Sequence, residues 1–152
     1  RWPAERYAAV LDALYERAGA RVVLLTGPGE EDTRDAVVSA AKHAPILADN
    51  GTPAIDSLKA SIALSDLLIG NDSGPRHVAI AFKKPVVCIM GSTSPRYSVG
   101  PYETGEVLRV DVDCGPCQKP VCTTDFRCMT RIEPESVVAA ALRHLPGSQP
   151  RR

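Results

Sequence analysis

The run Gly70-Asn71-Asp72-Ser73-Gly74-Pro75-Arg76-His77 crowds an acid, a hydroxyl, two glycines, a proline and an imidazole between apolar segments. Proline suits the first turn of a helix, where a missing N–H costs nothing, and Asp72 or Ser73 can cap the donors that the turn leaves free. The amides around Gly74, Arg76 and His77 would then point out of the helix start, which is a natural site for a phosphate group. Gly74 lets an anion approach the backbone closely. His77 lies four residues after Ser73, on the same helix face, and can donate to a phosphate oxygen. Asp72 suits capping, or accepting from a sugar hydroxyl, better than a phosphate, because like charges repel. The same residues also describe an ordinary capped helix whose His77 satisfies a backbone carbonyl.

Two further turns end apolar runs in the same way. In "TGPGEED" the Gly-x-Gly-x-x-Gly pattern of dinucleotide loops is broken by Asp32. Glu30, just past the strand end, can accept from ribose hydroxyls or be a first-turn acid favoured by the helix dipole. "GSTSP", Gly91 to Pro95, offers hydroxyls and amides, or a polar turn that caps the next segment. A fourth cluster is Cys114-x2-Cys117-x4-Cys122-x5-Cys128. Its Cys-x-x-Cys half suits tetrahedral zinc but its second half is irregular, so a structural zinc site, packed thiols and disulfides all stay open. Zinc held by four thiolates would be structural, with no position left for chemistry. Cys88 sits within an apolar strand and reads as core.

The elements that must position these residues alternate. Helical spacing covers Ala4 to Ala18, with Gly19 as a stop. Arg21 to Thr26 reads as a strand buried on both faces, followed by a helix from Glu30 to Ala41. Then come an apolar piece (Ile46 to Ala48), a helix (about Ile55 to Leu64), a strand (Leu67 to Gly70), a helix (Pro75 to Phe82) and a strand (Pro85 to Met90). Val107 to Val110 adds one more strand and Pro134 to Leu145 a closing amphipathic helix. Alternation with short crossovers predicts an α/β fold, a Rossmann-like parallel sheet with helices on both faces, in which ligands sit beyond the carboxyl ends of the strands. The expected domain spans 1–145, and 146–152 is expected to be disordered.

A chain of 152 residues suffices for one domain with a real core, burying about 70% of its unfolded surface. Eighteen basic and eighteen acidic residues cancel, so no global field invites nucleic acid or an anionic membrane, and any anion site must be local. No apolar run approaches a membrane span, and no signal-peptide pattern opens the chain. The opening "RWPAERY" reads as the start of an excised domain, and the sparse cysteines favour a cytoplasmic location over a disulfide scaffold.

"NDSGPRHVAIAFKKPVVCIMGSTSP" resembles the heptosyltransferases of lipopolysaccharide core assembly, glycosyltransferase family nine. The family pattern Asp-Ser/Thr-Gly-x-x-His-x-Ala-x-Ala, a Pro-Val-Val strand and Gly-x-Thr-x-Pro stand here as Asp72 to Gly74, His77, Ala79, Ala81, Pro85 to Val87 and Gly91 to Pro95. "RWP" is similar to the family's Lys-x-Trp-Pro, whose Lys would fall before Arg1, and the cysteine segment is similar to the ending of the heptosyltransferase II branch. The resemblance implies the C-terminal, donor-binding half of a GT-B enzyme that transfers heptose from ADP-heptose to the lipid A-linked core with inversion. By that resemblance Glu30 would hold the ribose and the Thr52-Pro53 turn would lie beside the adenine. Asp72, Ser73, Gly74 and His77 would contact phosphates and sugar, with His77 stabilising the leaving group. No catalytic cofactor is implied. The acceptor site and the catalytic base would belong to an N-terminal half, and the complete enzyme would work on the cytoplasmic side, with peripheral contact to the inner membrane. Rival expectations are another nucleotide-sugar glycosyltransferase or epimerase of the same architecture, or a non-enzymatic cysteine-rich metal or redox module.

Overall fold

The computed structural model describes residues 1–48 and 54–146. Along them α1 (Ala4–Ala18) leads to β1 (Val23–Leu24), α2 (Glu31–Ala40), β2 (Ile46–Leu47), α3 (Ile55–Leu64), β3 (Leu68–Asn71), α4 (Gly74–Ala81) and β4 (Val86–Ile89). They are followed by α5 (Pro95–Ser98), β5 (Gly105–Leu108), α6 (Arg127–Thr130) and α7 (Pro134–His144). Every strand pairing among these residues is parallel.

β4 shows why the layers form. Its apolar run alternates by the pleat of a strand. Val87 and Ile89 join a core with Trp2, Val10 and Leu14 from the N-terminal region and Val137, Val138, Ala140 and Ala141 of α7. Val86, Cys88 and Met90 turn the other way, into a second core with Ile62 of α3 and Ala79 of α4. The predicted two-sided covering is therefore present, with α1 and α7 on one face and α3 and α4 on the other. β3 follows the same division, Leu67 and Ile69 toward the first core and Leu68 toward the second.

α1 is fastened to the chain's far end. Pro3 precedes its first turn, and Gly19 closes it at φ 61°, its N–H donating to the Tyr15 carbonyl at 2.9 Å and the Ala20 N–H to the Leu14 carbonyl at 3.3 Å. Trp2 is 1% exposed and its Nε1 donates to the Ile132 carbonyl at 3.1 Å. Arg6 Nη1 donates to the same oxygen at 2.6 Å, and Arg17 forms a two-pronged pair with Glu135 of α7. The tryptophan shared with the family pattern is thus a core residue.

One expectation is corrected. The sheet is in two pieces, β1-β2 and β3-β4-β5, and β1 is not buried on both faces: Val23 is 40% exposed. The reason is local, because β1 borders an open cleft where a covering layer was expected. Two four-residue helices, α5 and α6, also escaped the periodicity reading, since one turn carries no repeat. The tail predicted to be disordered falls outside the described residues, apart from Pro146.

Candidate functional site

The cleft between the two sheet pieces has a volume of about 1760 Å³, and the segments that follow β1, β3 and β4 all reach it. β1-β2 forms one piece and β3-β4-β5 the other, and residues of both line the cleft. In open α/β sheets ligands collect beyond the carboxyl ends of the strands. Glu30 lines the cleft from the β1 side, Asp72 and Ser73 from the β3 side, and Gly91, Ser92 and Thr93 from the β4 side.

The start of α4 is open. Ser73 holds the N-cap position with extended backbone (φ −154°, ψ 175°), yet no side chain caps the helix. Its hydroxyl donates instead to the Asn71 carbonyl at 3.3 Å. The expectation that Asp72 or Ser73 caps α4 is therefore corrected. The Arg76 amide was also expected to be free, but it donates to the Ser73 carbonyl at 3.1 Å. Pro75 has no N–H to give, and Gly74, the first residue of α4, is exposed. A β-carbon placed on Gly74 would have no atom within 4 Å, so the space beside its α-carbon is open. Ser73, Gly74 and His77 are exposed on the same stretch; Ser73 lines the cleft, and His77 and Gly74 do not.

Asp72 has turned inward because of a residue the sequence reading did not single out. The Arg76 side chain is 0% exposed; its Nη1 donates to Asp72 Oδ1 at 2.5 Å and to Ser98 Oγ at 3.1 Å. Its other edge forks onto Glu103, Nε to Oε1 and Nη2 to Oε2, both at 2.7 Å. Ser98 Oγ in turn donates to Asp72 Oδ2 at 3.2 Å. Burial opposes the guanidinium charge, but the hydrogen bonds to Glu103 and Asp72 outweigh it and hold Arg76 protonated above its ordinary range. Spacing carried a partial signal, because Asp72 and Arg76 are four apart; Glu103 comes from a distant loop.

Glu30 is also partnered. Its Oε2 accepts from the Gly27 amide at 2.6 Å, closing the glycine turn on itself, while Oε1 meets Arg1 at 2.9 Å. Its side chain is 30% exposed, so it remains accessible from the cleft. Asn71 is a second residue missed by the sequence reading. Its Oδ1 accepts from the Tyr7 hydroxyl at 3.0 Å and its Nδ2 donates to the Ile89 carbonyl at 2.9 Å, joining α1, β3 and β4 beneath the site. Burial, the main cause, pushes the Tyr7 hydroxyl well above its ordinary value, so it stays a donor. Thr52 and Pro53 lie outside the described residues.

The four thiols of the cysteine segment line the far wall of the same cleft as free cysteines. The Thr124 hydroxyl lies 4.0 Å from Cys114 Sγ and 3.5 Å from Cys122 Sγ. Among the described residues no three Cys, His, Asp or Glu side chains are disposed to hold a metal ion. No helix among them is long and apolar enough to cross a membrane.

Comparison with known proteins agrees with this geometry. Residues 1–126 match the family model described as Glycosyltransferase family 9 (heptosyltransferase). The chain is 29% identical, over 97% of its length, to 47% of the lipooligosaccharide heptosyltransferase 2 of Campylobacter jejuni serotype O:2. It is 36% identical, over 60% of its length, to 27% of the lipopolysaccharide heptosyltransferase 3 of Escherichia coli K12. The chain thus spans less than half the length of these relatives. A glycosyl transferase of family 9 from Veillonella parvula superposes with a TM-score of 0.76 at 33% identity, covering 93% of this chain and 40% of that one. The ADP-heptose lps heptosyltransferase II of E. coli, at 24% identity, shares the fold with a TM-score of 0.73 over 93% of this chain and 40% of its own. With most of its residues inside the family's pattern and its strand-end cleft intact, this chain belongs to glycosyltransferase family 9, the heptosyltransferase family.

Proposed function

We propose that this chain is the donor-binding half of a heptosyltransferase. It holds ADP-heptose with the diphosphate at the start of α4, and the complete protein transfers the heptose, with inversion, to an inner-core sugar of lipopolysaccharide. The observation that carries the reading is the uncapped α4 start, with Gly74 and His77 exposed in its first turns and Asp72, Ser73 and Pro75 lining the cleft. Family membership and the two named relatives support heptose as the sugar and a lipopolysaccharide core as the acceptor.

The chemistry depends on where charge develops. As the glycosidic bond to the diphosphate breaks, negative charge grows on the leaving oxygens while the sugar becomes oxocarbenium-like. Donors fixed at the leaving group then bind the transition state more tightly than the ground state. Gly74 supplies a preoriented amide at the positive end of a helix, and His77 an imidazole N–H on the same side. Glu30 accepts from the ribose across the cleft. The acceptor's hydroxyl must be deprotonated by a base elsewhere in the complete protein.

In the complete protein, His77→Ala is expected to lower kcat about a hundredfold, the usual cost of one oxyanion donor. Because His77 is exposed, its thermal unfolding should stay within a degree or two of the parent. Unchanged turnover would remove His77 from the reaction. Titration with ADP, UDP and GDP while following thermal stability checks the donor, since a ligand that binds only the native state raises its apparent stability. ADP should give the largest rise, and a uridine preference would point to a different nucleotide-sugar enzyme.

A further inference from the structure

Four groups from two loops and two helices meet in a buried cluster behind the α4 start: Asp72 after β3, Arg76 in α4, Ser98 in α5 and Glu103 before β5. The Arg76 side chain is 0% exposed and the Asp72 and Glu103 side chains 13% and 7%, so the cluster is shielded from salt and water. A buried guanidinium facing two carboxylates is a costly arrangement to maintain, and apolar replacements often fold at least as well. The open helix start beside it offers such an arrangement a use.

Asp72 stands immediately before the N-cap, where a free carboxylate would have two effects. It would compete for the first-turn amides, the preferred partners of an acid at a helix start. It would also repel an incoming polyanion at short range in a partly desolvated site. Neither occurs, because both oxygens are occupied, Oδ1 by Arg76 and Oδ2 by Ser98. Glu103 holds the opposite edge of the Arg76 fork, a two-pronged contact that a lysine cannot reproduce.

We propose that Arg76, anchored by Glu103, is a positioning residue that holds the Asp72 carboxylate away from the α4 start and so keeps that start open to a diphosphate. Arg76 itself, wholly buried, acts through Asp72. The inference rests on the reading that α4 binds a nucleoside diphosphate and adds a specificity element to it: the cluster favours the charged part of the donor and is indifferent to the nucleoside.

The test compares ADP with adenosine by calorimetric titration of the complete protein. Arg76→Met alone strands two buried carboxylates and is expected to unfold the domain, so it is paired with Glu103→Met. The pair should bind adenosine as the parent does and ADP at least about tenfold more weakly, a loss that shrinks as salt is raised. Adding Asp72→Asn to the pair removes the repelling charge and should restore most of the ADP affinity. Arg76→Lys, which keeps the charge without the fork, gives a second comparison should the pair not fold: ADP affinity falls severalfold and adenosine affinity does not. Equal losses for ADP and adenosine, or no recovery with Asp72→Asn, overturn the inference and make the cluster merely structural. A parent protein that binds adenosine but gains nothing from the diphosphate overturns the α4 reading, and this inference with it.

Discussion

A carboxylate next to a helix start has a choice of partners, and at Asp72 the buried guanidinium of Arg76 wins over the helix amides. The motif made Asp72, Ser73, Gly74 and His77 legible as residues, but not their division of labour. Helix-start preferences assign Asp72 to capping, and only the tertiary placement of Glu103, 27 residues further on from Arg76, diverts it. The thiols divide in a similar way. Cys88 is buried in β4, and desolvation pushes its thiol up to about 12, so it should resist alkylation in the native state and react only on unfolding. Cys122 is exposed, and hydrogen bonding from Thr124 holds its thiol below the usual range. With iodoacetamide at pH 7, followed by mass spectrometry, Cys122 should label ahead of Cys88, and Thr124→Val should slow Cys122. Native labelling of Cys88 at a comparable rate would contradict its burial.

Among the elements, those with several turns or several pleats were readable and those with one were not. α1 and α3 run over the residues predicted for them, α1 marked also by Gly19 as a stop residue. β4 was readable from its unbroken apolar run, whose alternate residues feed opposite cores. β5 was not delimited by pattern: it begins two residues before the predicted Val107, at Gly105. That glycine has φ +119°, and a β-carbon there would overlap the backbone of Val86, its partner in register. Gly105→Ala should therefore cost about 3 kcal/mol or more, combining a forbidden backbone conformation with a backbone clash in the β4–β5 ladder. A lowered urea midpoint with an unchanged slope is the expected result, and a midpoint equal to the parent's would show that the ladder can shift.

At the scale of the molecule, α/β alternation in the sequence points to a candidate site at the strand ends. It could not show that the strands form two separate pieces, because strand order is a property of pairing and not of the individual strands. Glu30 and Ser73 both line the cleft between those pieces. That cleft exposes β1, which an apolar run alone describes as buried. The central claim is that the α4 start receives a diphosphate, and the Gly74 amide reports on it most directly. In amide-resolved NMR titrations, ADP should move the Gly74 resonance strongly downfield as its N–H gains a charged acceptor, whereas adenosine should leave it in place. A Gly74 resonance that ignores ADP while signals elsewhere in the chain respond would contradict the claim.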